Sequence, residues 1–530
     1  MTSRLRPWLL AAASLLLAGP LTLGHPALAQ EAASLRIAFA DPVSSLDPQL
    51  NNNAGDRSVD MFFFDLLVNN NDNGLQPGLA TAWRSTGPLT WEFDLRPGVL
   101  WHDGTPFTAD DVVFSYGRAP RVPGSVASFA SYLRTVATVE ALGPLYLRVT
   151  TTVPSPGLPL NLASVHIVSR HAGERAASED YNAGRAVVGT GPYQFGAYTP
   201  GTRVGMRRNE AYWGTKPVWT EVDYRYVSNP AARTAALLAG DVDVIDKVSV
   251  ADVTKLRANP AVRVYAYPGL RVMVLQPGFT PGANRYVTAV DGTPLSTNPL
   301  GDVRVRRALN LAINRPALAD RLLQGTATAA DQWMPAGTFG YNPAVKSPPF
   351  DPEAARALLA EAGYPQGFRL VIHVPVDRYV AGSETAQAVA QMWSRVGVQT
   401  SIETLTWTVY ASRVNKGEFA MTMIAWGNGT GEASYGLLNI LATQDVTKGQ
   451  GVSNWGHYSN PEVDRDLDAA TAEFDEARRE AVLQDAVRRV DADAAIFPLY
   501  HYQNIWAARR GLVVRPQSSD RTLATMVKRE

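Results

Sequence analysis

The 530-residue chain contains no cysteine. It therefore has no disulfide, no thiol nucleophile and no cysteine that could carry a lipid, so its stability must come from core packing. It also lacks an excess of charge, because 49 lysines and arginines balance 49 aspartates and glutamates. This balance gives no reason to expect nucleic acid or a strongly acidic partner. The length favours two or more domains with an ample core.

Recognised catalytic motifs are also missing. The sequence has no HExxH zinc motif, no GxSxG nucleophile elbow and no Gly-Lys pair, so it has no Walker A loop and no ATPase of its own. Its seven histidines are scattered and none has a recognised metal spacing, although His501 stays a weak candidate. His102 and Asp103 suit turn chemistry better than catalysis, since no second base or nucleophile lies nearby in the sequence. We predict no enzyme, no cofactor and no metal site.

Long apolar runs are absent outside the N-terminus. Residues 1–29 resemble a secretory signal, with two early arginines, an apolar stretch at 8–23 and a small-residue cleavage pattern ending at Ala29. A retained membrane anchor is the alternative, but the apolar stretch is short and is broken by Gly19 and Pro20. Cleavage leaves a chain of almost zero net charge. With no cysteine to lipidate, we predict a free periplasmic protein of a Gram-negative cell.

The segment from Gly189 to Asp246 carries the clearest structural pattern. Alternating residues on either side of Pro200-Gly201 predict a β-hairpin. A further strand at Glu221–Val227 is followed by a helix that begins at an Asn-Pro cap and ends at Gly240. A short strand then closes a strand–helix–strand unit, for which we predict parallel strands and a right-handed crossover.

The same segment resembles a known family. The motifs GTGPYQF, RRNEAYWG and ARTAALLAGDVDV, in this order, are similar to the peptide- and nickel-type extracellular solute-binding proteins of ABC importers. LRPGVLWHDGTPFTADDVVFSY, DVRVRRALNLAINRPAL, SNPEVDRDL and IFPLY extend the resemblance over roughly residues 35–527. It implies an α/β fold of two hinged lobes, with an extra subdomain in the first lobe, that close on a ligand. It also implies a monomer that docks on a membrane permease whose ATPase is a separate subunit.

The resemblance suggests a division of the chain into four parts. These are a signal peptide at 1–29, a first lobe at 30–275 with a subdomain at roughly 70–188, a second lobe at 276–498, and a return to the first lobe at 499–530. Strands separated by helices in the second lobe predict a mostly parallel sheet.

The likeliest ligand-contacting loop follows the strand at residues 419–426. That strand is apolar on both faces, as a doubly buried central strand should be, and ligands of open α/β sheets lie beyond the carboxyl ends of such strands. The loop reads GNGTGEAS, and its three glycines let the backbone approach a ligand closely. We select Trp426, Asn428, Gly429 and Glu432 as candidate ligand-binding residues.

The chain departs from its relatives within this loop. Peptide binders typically carry an aspartate three residues after the tryptophan, where its carboxylate pairs with the α-ammonium of the ligand, but this chain has Gly429 there. A buried ammonium without a counter-charge is costly. Either Glu432 supplies the charge from a shifted loop, or the ligand has no free amine at this point.

Five further candidates are more weakly indicated. Phe129 and neighbouring Tyr132 align loosely with ligand-contacting aromatic residues, and Arg413 lies near the place of a carboxylate-binding arginine in oligopeptide binders. Core packing and solvent exposure are the respective alternatives. The remaining three are Asp41, in a loop that commonly lines the cleft, and Tyr500 and Tyr502, on a strand expected to return through the hinge.

Three functions remain open from the sequence. The first is the peptide-binding component of an importer, and the second is the same scaffold holding a metal chelate, an opine or a glycoside. The loss of the anchoring aspartate favours the second. A periplasmic enzyme is the third and has the least support, because the sequence shows no catalytic set.

Overall fold

The computed structural model describes residues 33–376 and 378–530. The predicted signal segment 1–29 lies outside these residues. The chain begins in a first lobe, crosses to a second lobe, and returns, so that each crossing is made by one long strand.

The first lobe and its subdomain contain eleven strands and seven helices. The strands are β1 (Ser34–Phe39), β2 (Val68–Asn71), β3 (Gly74–Pro77), β4 (Ala80–Gly87), β5 (Thr90–Leu95), β6 (Val136–Gly143), β7 (Tyr146–Thr151), β8 (Tyr193–Thr199), β9 (Arg203–Arg208), β10 (Glu221–Tyr226) and β11 (Val244–Ile245). The helices are α1 (Ala54–Phe63), α2 (Ala109–Arg118), α3 (Leu158–Leu162), α4 (Arg170–Gly173), α5 (Ser178–Asn182), α6 (Pro230–Ala239) and α7 (Val250–Arg257).

The sheet of the first lobe has the strand order β11-β1-β10-β9-β8. The hairpin β8–β9 and the unit β10–α6–β11 lie where the sequence predicts them. The Asn229 side chain accepts a hydrogen bond from Ala232 N at 3.0 Å, and Gly240 ends α6 with φ of 83°. β10 and β11 are not neighbours, because β1 lies between them and runs parallel to both. The crossover thus covers the first strand of the lobe.

The subdomain is an antiparallel sheet with the order β4-β5-β7-β6, and it has a core of its own. α2 packs beside this sheet and begins with a capping box, in which the Asp111 side chain accepts a hydrogen bond from Thr108 N at 2.9 Å. The core extends from Leu67 to Ile167. The separate core explains how this segment forms a layer of its own within the first lobe.

The second lobe and the returning segment contain the remaining elements. The strands are β12 (Val262–Pro277), β13 (Val287–Thr288), β14 (Ala327–Ala329), β15 (Arg369–Pro375), β16 (Gln399–Leu405), β17 (Met421–Gly427), β18 (Phe497–Arg509), β19 (Leu512–Val514) and β20 (Val527–Arg529). The helices are α8 (Val303–Leu311), α9 (Arg315–Ala317), α10 (Pro352–Glu361), α11 (Gly382–Ser394), α12 (Trp407–Val414), α13 (Ala433–Gly436), α14 (Pro461–Ala472) and α15 (Glu476–Ala492).

The two crossings are made by β12 and β18, which pair antiparallel with each other in both lobes. Their register is interrupted between Pro268 and Val272, where three residues of β12 lie opposite Tyr502 alone. A Cβ at Gly269 would lie 2.8 Å from Tyr502 O, so this irregularity requires glycine. β12 is therefore one continuous strand with an irregular centre at residues 269–271.

The prediction of a mostly parallel sheet in the second lobe is wrong. β15 is parallel to β16 and β17, but β12 is antiparallel to both β17 and β18, and β13 and β14 are also antiparallel to their partners. The reason is that one crossing leaves the first lobe and the other returns to it, so adjacent crossing strands must run in opposite directions. Helices cover both faces of this mixed sheet over two cores.

Candidate functional site

The predicted ligand loop begins at the carboxyl end of β17. The strand is buried from Met421 to Ala425, and exposure begins at Trp426, where β17 pairs with Val272 of the crossing strand. The next residue but one, Asn428, is held to the same strand by its backbone N–H, which donates to Leu270 O at 3.0 Å. The loop is therefore anchored directly to the hinge.

Three side chains of this loop have buried polar atoms with no hydrogen-bond partner among the described residues. Asn428 is fully buried and neither its amide nitrogen nor its oxygen has a partner among the described residues. The hydroxyl of Thr430 and Nε1 of Trp426 are likewise buried without a hydrogen-bond partner, and Thr430 is only 7% exposed. Buried polar groups are normally hydrogen-bonded, because losing water without gaining a partner costs about 1–3 kcal/mol per group. Three such groups within five residues are what a ligand-binding surface presents.

Open space adjoins these groups at Gly429. A Cβ at this position would meet no atom within 4 Å, and the residue itself is exposed. A side chain at this position would therefore extend into free space.

Glu432 does not present a free carboxylate to this space. Its Oε1 lies 2.6 Å from Nη1 of Arg479 and accepts a second hydrogen bond from Ser434 Oγ, also at 2.6 Å. The Arg479 guanidinium also lies over the ring of Phe339, 4.3 Å from its centroid. Both charged side chains are nearly buried, at 8% and 13% exposure. The carboxylate is therefore neutralised within the second lobe.

Tyr435 connects the loop to the first lobe. Its ring lies 5.5 Å from that of Trp426, and burial together with Tyr132 of the first lobe raises the pKa of Tyr435 to about 12. The Tyr132 hydroxyl accepts a hydrogen bond from Asn52 Nδ2 at 3.1 Å, and Oδ1 of the same amide accepts one from Arg57 at 3.0 Å. We define the cleft as the space between residues 426–435 and the first-lobe residues that face them, on α1, around Tyr132 and at 520–522.

A chain of charged groups runs from the first lobe to the hinge. Asp41 lies 2.5 Å from Lys247, whose ammonium is also 3.8 Å from Asp520, and this carboxylate is 3.7 Å from Arg271 on β12. The guanidinium of Arg271 in turn reaches Ala425 O at 3.4 Å. The side chains of Asp41, Lys247 and Asp520 are 28–34% exposed, so this chain of ion pairs borders solvent. The candidate Asp41 is thus paired with a cation of its own lobe.

The lobes also touch away from the hinge. Asn70 Nδ2 donates to Thr430 O at 2.8 Å, Arg134 donates to Gly449 O at 3.2 Å, and the rings of Trp91 and Phe474 lie 6.1 Å apart. These contacts hold the lobes in a closed arrangement, in which the Trp426 loop faces the first lobe.

The remaining aromatic candidates lie at different depths. Tyr500 is fully buried in the core of the second lobe, where its hydroxyl is 2.8 Å from Thr385 Oγ1. Tyr502 is half-buried opposite the irregular centre of β12, and its hydroxyl donates to Val380 O at 2.9 Å. Phe129 is fully buried in the subdomain core, with its ring 6.3 Å from that of Tyr132. Only Tyr502 of these three exposes part of its side chain.

Arg413 is fully engaged within the second lobe. It lies 2.6 Å from Glu403 and 3.0 Å from Glu418, contacts the hydroxyl of Tyr286, and lies over the ring of Phe419. Two carboxylates therefore already occupy the donors that would bind a ligand carboxylate.

His102 is half-buried and His501 is buried. Burial lowers the pKa of His102 to about 4; its Nε2 lies 3.0 Å from Gly191 O, and its Nδ1 accepts a hydrogen bond from Gly189 N at 3.2 Å. Burial likewise lowers the pKa of His501, the weak metal candidate, to about 4. Within residues 33–376 and 378–530, no three or more His, Cys, Asp and Glu side chains come together in a way that could hold a metal ion.

Several residues of the cleft are not found by sequence reasoning. Arg57, Tyr435 and Arg521 belong to no recognised motif. Lys247 directly follows the segment from Gly189 to Asp246 and has no sequence pattern of its own. The sequence of α1 does contain one signal that could have indicated the cleft. α1 reads AGDRSVDMFF, so charged residues interrupt an otherwise buried helix.

The combination of two lobes, a two-strand hinge and a polar cleft defines a hinged ligand-binding protein. The model described as "Bacterial extracellular solute-binding proteins, family 5 Middle" matches residues 74–448. The chain therefore belongs to family 5 of the bacterial extracellular solute-binding proteins, which serve as the solute-binding components of ABC importers. The predicted family and fold are thereby confirmed.

Relatives with different cargo are similarly close. The heme-binding protein A of Haemophilus influenzae is 28% identical over 81% of this chain and 79% of its own length. The dipeptide-binding protein of Escherichia coli is also 28% identical, over 72% of each chain. The solved structure of HbpA2 from Haemophilus parasuis has 24% identity and a TM-score of 0.81, and the match covers 94% of this chain and all of the other.

Among the residues that the structure describes, no helix is long and apolar enough to cross a membrane. Two of the relatives from Escherichia coli are a periplasmic oligopeptide-binding protein and a periplasmic murein peptide-binding protein.

Proposed function

We propose that this chain captures a short peptide between its lobes in the periplasm and delivers it to an ABC permease in the inner membrane. One observation carries the proposal. Asn428, Thr430 and Trp426 present unpartnered buried polar atoms beside the open space at Gly429, on the loop anchored to the hinge. A peptide backbone offers the alternating donors and acceptors that such groups can bind whatever the side chains.

Closure links binding to transport in this proposal. A ligand that contacts both lobes binds the closed form more tightly than the open form, so its capture shifts the population toward closure. The closed form then presents both lobes to the permease, whose ATPase subunits are separate chains. The protein acts as a monomer after removal of its N-terminal signal.

A non-peptide solute is the second candidate, and the Glu432–Arg479 ion pair favours it. Because this pair neutralises Glu432 and Gly429 replaces the usual aspartate, the loop offers no charge to the ammonium of a peptide. Relatives illustrate the range, since one solved structure holds agropinic acid and another Ni(L-His)2, at TM-scores of 0.72 each.

Native mass spectrometry of the purified protein identifies any retained ligand, and a thermal-shift panel of peptides, opines and nickel chelates then separates the two candidates. Small-angle X-ray scattering with the best ligand tests closure, which we expect as a decrease in the radius of gyration. A ligand that binds without compaction, or a panel in which no solute binds, contradicts the proposal.

The Asn428→Ala variant tests the site itself. We expect ligand affinity to fall at least tenfold while the free energy of unfolding without ligand does not decrease, because the lost amide has no partner in the folded chain. Asn454→Ala is the matched control. That buried amide bonds to Ala442 O and Tyr458 O, so its loss should lower stability without a direct effect on affinity.

A further inference from the structure

Two arginines face the cleft from the first lobe without a carboxylate partner. Among the described residues, neither Arg57 nor Arg521 has an acidic oxygen within 4 Å, although thirty ion pairs link other charged residues. Arg57 donates to Asn52 Oδ1 through Nη1, and its Nε is buried without any partner. Each guanidinium carries five donors, so most of them remain available in both residues.

The two guanidinium groups lie over the same face of α1. Arg521 Nη1 approaches the sulfur of Met61 at 3.2 Å, and Met61 stands one helical turn beyond Arg57. Burial and the positive charge of Arg57 lower the pKa of Arg521 to about 9. The folded chain therefore holds two like charges together in a site partly removed from water, which is unfavourable unless an anion joins them.

The acidic residues around the pair do not supply that anion. Asp60 is fully buried on α1, and both its oxygens lack hydrogen-bond partners among the described residues. Burial, with Asp56 and Asp47 nearby, raises its pKa well above the ordinary value, although Arg57 and Arg521 act in the opposite direction. Asp520, although next in sequence to Arg521, is engaged by Lys247 and Arg271. If Asp60 is counted as ionised, one positive charge is still left over.

The opposite wall is neutral and polar. Tyr435, whose pKa is raised by burial and lowered to a smaller extent by the positive charge of Arg57, connects the arginines with the unpartnered groups of Trp426, Asn428 and Thr430. A ligand that bridges the lobes thus meets cationic donors at one end and neutral hydrogen-bonding groups at the other.

We propose that Arg57 and Arg521 bind a carboxylate of the ligand, so that the solute is an acid whose negative end points to α1 and whose other end needs no ammonium. This inference rests on the proposed function, because it concerns the ligand of the same cleft. The site differs from Arg413, whose donors are taken by Glu403 and Glu418. Arginine pairs bind carboxylates through two parallel charge-assisted hydrogen bonds, which fixes orientation as well as affinity.

Calorimetric titration of the mature chain with paired probes tests the proposal. The probes are trialanine, N-acetyl-trialanine and trialanine amide, with N-acetylglutamate and glutarate as non-peptide acids. We expect at least one acid to bind, the acetylated peptide to bind as tightly as trialanine or more tightly, and removal of the peptide carboxylate to weaken binding at least tenfold. Arg57→Gln and Arg521→Gln should each weaken the acids at least tenfold and leave the amide unchanged, whereas Arg57→Lys retains part of the affinity.

Each of these results either supports or contradicts the carboxylate site. If no acid binds the wild-type chain, if the amide equals the free acid, or if the glutamine variants bind acids normally while folded, the carboxylate site is wrong. The proposed function survives those results when a neutral or cationic solute binds and compacts the protein. Conversely, acids that bind through the arginines without compaction support the site and contradict the proposed function. Circular dichroism of each variant establishes folding, and Arg121→Gln, at an exposed arginine on the subdomain, is the control for loss of charge.

Discussion

On the first lobe, the wall of the cleft carries the charged side chains of Arg57 and Arg521 without acidic partners, whereas on the second lobe the wall carries neutral groups and conceals its charges. Glu432 is paired with Arg479, and Arg413 with Glu403 and Glu418. The comparison teaches that motif position and available charge are separate properties. The second lobe keeps the family's loop but not its exposed acid, and the charge available for a ligand lies on the other lobe.

Breaking the buried ion pair between Glu432 and Arg479 should have the largest effect on the free energy of unfolding. Glu432→Gln leaves Arg479 buried and unpaired, and we expect the free energy of unfolding to fall by about 3 kcal/mol, since removing one partner of a buried ion pair is strongly destabilising. Glu473→Gln is the control, because its partner Arg478 is 70% exposed and exposed ion pairs contribute little to stability. Urea denaturation measures both. Equal losses of stability in the two variants would mean that Glu432 is not part of a buried ion pair.

The second prediction concerns His102, which supports the first-lobe wall of the cleft. Its neutral ring holds Gly189 and Gly191, and Gly191 N donates to Phe63 O at the end of α1, the helix that carries Arg57. Since burial lowers the folded-state pKa to about 4, the unfolded chain binds a proton first as the pH falls from about 6.5. The contribution of His102 to the free energy of unfolding should therefore fall by about 2–3 kcal/mol between pH 6.5 and 4.

The comparison of His102→Gln with wild type isolates this contribution. The variant should lose about 2–3 kcal/mol less than the wild type over the same pH range in urea denaturation. His171→Gln, at an exposed histidine of α4, should follow the wild type. Parallel pH curves for all three proteins would contradict the prediction.

Adding a charge to the neutral wall should change which ligands it accepts. Gly429→Asp places a carboxylate in space that is free of other atoms, where it can accept hydrogen bonds from a ligand ammonium. A hydrogen bond to a charged group contributes about 1.5–3 kcal/mol, so the preference for trialanine over N-acetyl-trialanine should rise at least tenfold. Gly429→Asn controls for size. A similar preference in both variants would place the ligand amine elsewhere.

The smallest expected effects are on stability, and they compare Gly436, which is tightly packed, with Gly429, which faces open space. A Cβ at Gly436 would lie 2.7 Å from Nε1 of Trp333, whereas one at Gly429 meets nothing. We expect Gly436→Ala to lower the free energy of unfolding by about 1–3 kcal/mol through overpacking. Gly429→Ala should change it by less than about 0.5 kcal/mol. Thermal denaturation without ligand measures both, and a large loss for Gly429→Ala would show that the space is not open.

Local patterns predict the fold well where one residue determines one conformation. The Asn229 cap, the Gly240 end of α6 and the Thr108–Asp111 capping box all follow from side-chain chemistry within a few residues. The direction of β12 relative to β17 and β18 does not, because it depends on how often the chain crosses between lobes. Such pairings link residues more than 140 positions apart.

The candidate site is predictable to a smaller extent. Position after a buried strand indicates the loop that carries Asn428, since ligands of open α/β sheets lie beyond such ends. The engagement of Glu432 by Arg479 and the approach of Arg521 to Met61 join distant segments, so no local pattern reveals them. A sequence motif indicates where a charge stands, but only the folded chain shows whether that charge is already neutralised.

The antiparallel pairing of β12 and β18 also limits how the lobes can move. Both strands keep their hydrogen-bonded ladder on either side of the irregular stretch at 269–271, so one lobe cannot slide along the other without breaking ladders in two cores. The freedom that remains is rotation about this short stretch. A single angle therefore sets the separation between Arg57 and Asn428, and a substitution at Gly269 should disturb this rotation, because a Cβ there would lie 2.8 Å from Tyr502 O.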